Sequence, residues 1–256
     1  MSERSLPILE HDFSRPAVTE PGKIIKAIPE MPEHTVLVFY EQVIKSFVEQ
    51  GLFDVIRVLR GETGDFPVYG FEHAGKRIAV INPGLGAPSA GGILEEVIAL
   101  GAKKVIACGS AGVLKKELPR GKVIVVESAL RDEGTSYHYL PPSEYVETDR
   151  EVLNKITEGL SGMSIDYTVA RTWTTDGIFR ETPSIVKRRL SQGCLVVEME
   201  ASALIAVSRF RGIEFGQLLS CGDDVSGVEW DRRLDGSVMN HKEKLFYLAA
   251  TCCSKL

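Results

Sequence analysis

The sequence is short of the groups that most often announce a chemistry. It has no Cys-x-x-Cys pair. Its five cysteines, Cys108, Cys194, Cys221, Cys252 and Cys253, are odd in number and suit neither a disulfide framework nor a zinc site. They read as buried thiols of a reducing compartment. The five histidines, His11, His34, His73, His138 and His241, are scattered without ligand spacing, so no metal is expected and a metal hydrolase is disfavoured. There is no Gly-x-Ser-x-Gly elbow of a serine hydrolase and no Gly-x-Gly-x-x-Gly dinucleotide fingerprint. No apolar run is long enough to span a membrane, and the opening MSERSLPILEHDFSRP has no apolar signal core, so the expected location is the cytoplasm. No long basic run occurs and the net charge is −5, which argues against a nucleic-acid partner. A small anionic molecule remains compatible with a locally positive site.

What is present is an ordinary globular mix of 256 residues, 44% hydrophobic and 25% charged. Residues 1–33 carry Pro7, Pro16, Pro21, Pro29 and Pro32 and read as an irregular N-terminal arm. Residues 34–256 read as a single domain in which apolar strands alternate with helical patterns. TVLVFY (35–40) is a strand and EQVIKSFVEQG (41–51) a helix ended by Gly51. PVYGFEH and RIAVINPG form a hairpin about HAGK. In SAGGILEEVIALGAK (89–103), Ile93, Val97 and Leu100 share one helical face, Ser89 suits the N-cap and Gly101 the end. Strands follow at KVIACGSAG, KVIVVESAL (122–130), YTVARTWTT (167–175), CLVVEME (194–200) and FGQLLSCGDD (215–224). A helix with Ala203, Ala206, Val207 and Phe210 on one face follows Met199, and KEKLFYLAATCC closes the chain. Continuous apolar strands between helices predict an α/β fold, a twisted, largely parallel mixed sheet covered on both faces.

Such sheets bind ligands at the carboxyl ends of their strands. Four strand ends stand out: PGLGAPS (83–89), GSAG (109–112), EME (198–200) and GDD (222–224). Glycines admit a ligand close to the backbone and can form anion-binding nests, whereas buried acids need donors. Each signal alone has a structural explanation, as a tight turn or as acids starting a helix. Their combination in this order is harder to explain that way.

The order, separation and letters of PGLGAPSAGGILEEVIALGAKKVIACGSAG and VVEMEASALIAVSRFRGIEFGQLLSCGDD resemble the nucleoside phosphorylases and nucleosidases of the purine/uridine phosphorylase type. The resemblance spans about residues 35–250. It implies a three-layer α/β/α sandwich, assembly as dimers, trimers or hexamers, and cleavage of a ribosyl C1′–N bond without a cofactor. It implies that Glu200 accepts hydrogen bonds from the sugar hydroxyls, that Met199 packs on the sugar face, and that Glu198 supports the base or the segment's geometry. It also implies that an acid after the last strand, Asp223 or Asp224, serves a purine N7; uridine-type members lack that acid. Trp173 and Phe179 are candidates for stacking on the base, with plain core as the alternative for one of them. Asp176 and Arg180 either bond the base or pair with each other.

The nucleophile site departs from the family pattern. Phosphorylases of this type hold phosphate with arginines, and the corresponding positions here are FYEQV, Ala107 and about Gly64. Two readings stay open. Inorganic phosphate as co-substrate is held by Ser110 and the Gly84 and Gly86 nests, with Arg131 or His138 of RDEGTSYHYLPP. Alternatively water is the nucleophile, activated near Glu41, an acid that equally suits a helix start. A phosphorylase acting on a purine nucleoside is the first reading, a nucleosidase the second, and a non-catalytic nucleoside-binding protein the third.

Overall fold

The structure is a computed structural model that describes residues 6–10, 12–13, 16–233 and 238–256, with side chains described from 240 in the last stretch. Residues 1–5, 11 and 14–15 of the expected arm lie outside the described residues. In chain order the elements are α1 (Pro21–Ile24), β1 (His34–Val38), α2 (Glu41–Glu49), β2 (Asp54–Gly61), β3 (Gly64–His73), β4 (Lys76–Ile81), α3 (Ala87–Leu100), β5 (Lys104–Val113), β6 (Val123–Asp132), β7 (Tyr145–Glu147), α4 (Arg150–Gly162), β8 (Tyr167–Thr175), α5 (Pro183–Ser191), β9 (Cys194–Glu198), α6 (Ala201–Arg211), β10 (Glu214–Asp224) and α7 (Val238–Cys253).

The apolar strands are apolar on both faces because both faces are covered. Side chains of a strand alternate. Leu37, Ala79, Ile81, Val105 and Ala107 pack with α3 and α6 in one core. Their neighbours Val36, Val38, Ile78, Val80, Ile106 and Cys108 pack with α2, α4 and α7 in another. This is the layered α/β/α architecture.

The sheet is mixed and runs β2-β3-β4-β1-β5-β9-β8-β6-β10, with β7 added on β6. β10 also pairs in parallel with β5, from Glu214↔Lys104 to Asp224↔Val113. Strands β5, β9, β8, β6 and β10 therefore close on themselves, while β1, β4, β3 and β2 continue outward. The closing contact is short, Gly112↔Val197 and Val113↔Val196. Gly112 permits it, because a Cβ there would lie 3.0 Å from Val197 Cγ1. The closure brings the ends of β5, β9 and β10 to one mouth.

Two expectations are corrected. Helix α3 starts at Ala87, two residues before Ser89, with Gly86 as its N-cap at φ 87° and Pro88 in its first turn. Proline suits that turn because its missing donor is not needed there. Ser89 Oγ instead donates to Pro83 O at 2.9 Å. The GSAG segment lies within β5, as the strand KVIACGSAG predicts, and is held in register by β10 through Ser110↔Ser220 and Ala111↔Cys221. The segments 54–61, 145–147, 150–162 and 183–191 also form elements that the apolar pattern did not announce. For α4, the signal was Asp149, whose carboxylate accepts from Glu151 N and Val152 N.

Helix α4 seats on β10 at Gly216. A Cβ there would overlap Ile156 Cδ1 and come within 3.2 Å of Ile106 Cδ1 and Val152 Cγ1. Gly216→Ala is expected to cost about 1–3 kcal/mol of stability through overpacking. A drop in the denaturant midpoint at constant slope checks this; an unchanged midpoint would show that the helix seat is looser than described.

Candidate active site

Between β9 and α6 the chain places two carboxylates two residues apart, and local geometry gives them different work. Glu198 is buried at the end of β9. Its Oε2 accepts from Glu200 N at 2.8 Å and Ala201 N at 2.6 Å, at the start of α6. Its Oε1 accepts from Thr174 Oγ1 at 2.6 Å and Thr172 Oγ1 at 3.2 Å on β8. Two of these donors are among the N–H groups that a helix start leaves without intrahelical partners. Glu198 thus ties the end of β9 and strand β8 to the start of α6.

Glu200 is only 5% exposed, yet it is half satisfied. Oε1 accepts from Gly86 N at 2.7 Å and Oε2 from Met199 N at 3.3 Å. Each carboxylate oxygen has two acceptor positions, so each keeps capacity for a further donor. The positive φ of Gly86 turns the Gly-rich segment after β4 towards the acidic one after β9. Burial, then the charge of Glu198, pushes Glu200 up to about 8, against the pull of its two N–H donors. Burial pushes Glu198 up as well, opposed by its four hydrogen bonds.

The second acidic strand end divides in the same way. Asp224 is buried, bonded by Ser226 N at 2.8 Å and paired with Arg233 at 2.6 Å. Burial works against its charge, but the Ser226 bonds and the Arg233 ion pair prevail and hold it below the ordinary carboxylate range. Asp223 is half-buried and lines a cavity of about 540 Å³ together with Ile178, Phe179, Glu181, Val225 and Trp230. Trp230 Nε1 donates to Asp223 Oδ2 at 2.6 Å. Glu181 has no side-chain hydrogen bond among the described residues. Burial and then the nearby charge of Asp223 raise its pKa. Neither Glu181 nor Trp230 was singled out by sequence reasoning. A lone acid in a loop carries no periodic signal, and Trp230 acquires meaning only from the fold.

Of the aromatic candidates, Phe179 is 87% exposed at that cavity, and Trp173 is core. Trp173 packs with Leu114, Leu130 and Val197, and its Nε1 donates to Asp132 Oδ2 at 2.9 Å. Asp176 accepts from Gly134 N at 3.0 Å, which ties two loops rather than facing the cavity. Arg180 is exposed and is not among the residues that line the cavity.

The expected nucleophile residues do not assemble. The guanidinium of Arg131 is consumed by Ser136, Leu140, Pro141 and Ser143 inside its own loop. His138 lines a different cleft, against Tyr139, Phe210 and the N-terminal arm. The N–H of Gly84 is taken by Asn82 Oδ1 at 2.9 Å and that of Gly86 by Glu200, so no open nest remains there. Glu41 pairs with Lys45 at 2.6 Å and is 66% exposed; with Asn82 and Gly84 it lines a cleft of about 330 Å³. Ser110 is exposed and donates to the hydroxyl of buried Tyr40 at 3.3 Å. Among the described residues no cluster of His, Cys, Asp or Glu is arranged to hold a metal, and no helix is long and apolar enough to cross a membrane.

Residues 33–251 match the sequence profile of the phosphorylase superfamily. The chain belongs to that superfamily. It is similar to a guanosine phosphorylase of Halorubrum lacusprofundi, 24% identical over 170 residues, 66% of this chain and 70% of the relative. It is also similar to a DeoD-type purine nucleoside phosphorylase of Bacillus cereus, 26% identical over 175 residues, 68% and 72% of the two chains. Among solved structures it superposes on uridine phosphorylase of Vibrio fischeri at a TM-score of 0.75, with 24% identity, covering 92% of this chain and 99% of the other. It superposes on AMP nucleosidase of Bacteroides thetaiotaomicron at 0.71, with 23% identity and 88% of each chain covered. The phosphorylase superfamily is one of enzymes, nucleoside phosphorylases and nucleosidases, and the fold observed is theirs.

Two measurements follow from the unequal acids. Glu198→Gln puts an amide against fixed N–H donors and is expected to cost about 1–3 kcal/mol of stability. An unchanged melting midpoint would show that Glu198 is not the fastener. Glu200, raised from an ordinary 4.5 to about 8, holds a proton in the folded state that the unfolded chain releases. Its contribution is present in full below about pH 4.5 and is lost as pH rises to about 8. Relative to Glu200→Gln, the ligand-free wild type should lose stability across that window; parallel profiles would contradict the shift.

Proposed function

We propose that this phosphorylase-superfamily protein cleaves the N-glycosidic bond of a purine nucleoside with phosphate, releasing free base and a pentose 1-phosphate. The observation that carries the reading is Glu200, a buried carboxylate held by Gly86 N and Met199 N with acceptor capacity left on both oxygens. A ribose diol offers the O–H donors that such a group lacks. Met199, half-buried beside it, suits the sugar face.

The reaction asks three things of the site. Positive charge grows on C1′ as the bond to the base breaks, and Glu200, ionised once bound to the diol, stabilises it from close by. The bonding electron pair leaves with the base, which needs a proton or a strong hydrogen bond. Asp223, oriented by Trp230 and facing the base cavity, supplies it in its acid form, giving its carboxyl proton to the departing base and becoming the carboxylate. Asp224, tied up with Arg233, does not. A phosphate oxygen then forms the new bond to C1′ from the opposite side. Phe179 offers an aromatic face and Glu181 an acceptor for base N–H groups, which suits a purine edge.

Two observations favour phosphate over water. Glu41 is paired and mostly exposed, unlike a desolvated base poised on a water. The sequence relatives quoted above are phosphorylases. We also assign the enzyme to cytoplasmic purine salvage, in keeping with five buried free cysteines, and to a homo-oligomer, in keeping with Val55 and Val58 exposed on the edge strand β2.

Assay of a nucleoside panel with and without phosphate, separating pentose 1-phosphate from free pentose, is expected to show phosphate-dependent cleavage of purine nucleosides. Asp223→Asn should lower kcat about 100-fold or more with a small change in KM. Free pentose as the product would favour the nucleosidase, and full turnover in Asp223→Asn would remove that residue from the chemistry.

A further inference from the structure

Phosphate recognition normally relies on guanidinium groups, and none of the positions where they were expected holds one. The cationic groups are elsewhere. Beside the base cavity lies a smaller one of about 30 Å³, lined by Ser110, Arg120, Ser220, Gly222, His241 and Lys242. That exceeds the roughly 10–15 Å³ that one water needs, and its Ser110 edge is exposed. Arg120 is partly occupied, donating to the carbonyls of Arg232 and Arg233. Lys242 is less committed. Its Nζ lies 3.4 Å from Gln42 Oε1 and 5.3 Å from the centre of the Tyr40 ring, whose hydroxyl accepts from Ser110. His241 Nδ1 is buried without a hydrogen-bond partner among the described residues. Its ring rests where a side chain at Gly121 would stand, 2.7 Å from that position's Cβ.

The two cavities share two strands. On β5, Ser110 lines the basic cavity and Gly112 the base cavity; on β10, Ser220 and Gly222 line the first and Asp223 the second, with Val225 just beyond the strand. Two residues along a strand are roughly 6.6 Å. Displacement at a carbon needs the entering atom about 3 Å from it on one side and the departing atom on the other. The basic and acidic cavities are lined by neighbouring positions of the same strand ends. The charge pattern also fits, with basic groups where an anion enters and an acid where the base departs.

Resting on the proposal of phosphorolysis, we infer that the cavity between Ser110, Ser220, His241 and Lys242 is the oxyanion subsite, and that Lys242 supplies the charge arginines would otherwise bring, with the His241 ring as a hydrogen-bonding partner. Phosphate there sits behind C1′ while Glu200 holds the diol.

The test uses the full-length protein. Phosphate is expected to raise the melting midpoint of the wild type, and Lys242→Ala to abolish that rise. In steady state, Lys242→Ala should raise the phosphate KM about tenfold or more, the scale of one charged hydrogen bond, with the nucleoside KM within about twofold and recovery in Lys242→Arg. An unchanged phosphate response in Lys242→Ala, or no response in the wild type, overturns the assignment. If phosphate stabilises the wild type through Lys242 while cleavage proceeds equally without phosphate, the subsite stands and phosphorolysis falls.

Discussion

A single backbone donor, Gly86 N–H, holds Glu200 Oε1 at 2.7 Å across 114 residues of sequence. Much of the site's geometry depends on that bond. It needs the positive φ of Gly86, which sets the start of α3, and it needs α6 to begin at Ala201, which Glu198 secures. A carboxylate removed from water is costly unless donors meet it. Here the fold meets half of the demand, and a polyol is the natural source of the rest.

The two acidic strand ends repeat one division of labour. In Glu198 and Glu200, and again in Asp224 and Asp223, one carboxylate is fully bonded within the protein and its neighbour keeps acceptor capacity, Asp223 at the wall of a cavity. The bonded member fixes the backbone from which the other projects. Closure of β5, β9, β8, β6 and β10 then brings both pairs to one mouth. Without the β5–β10 pairing, Asp223 and Gly112 would not share a wall.

Core strands such as β1 and β4 were legible because they are nearly continuous apolar runs, as residues covered on both faces must be. YTVARTWTT, rich in β-branched and aromatic residues, matches β8 residue for residue. Edge strand β2 was not, since four of its eight residues in DVIRVLRG are charged or glycine and most of the strand is exposed. The acids after β9 and β10 could be found as types at strand ends, but their partners could not. No pattern in the letters says that Arg233 folds back on Asp224, that Asn82 occupies Gly84, or that Arg131 turns into its own loop. Such facts belong to side-chain packing between distant segments. For the same reason Glu181, His241 and Lys242 gain meaning only beside Asp223 and Ser110.

The account's central claim is that the pentose hydroxyls complete Glu200. The most direct measurement is a double-mutant cycle in binding, by calorimetry, with a ribonucleoside and its 2′,3′-dideoxy counterpart against wild type and Glu200→Gln. The account predicts that the substitution weakens the ribonucleoside strongly and leaves the dideoxynucleoside nearly unaffected. Equal effects on both ligands, or none on either, would contradict it.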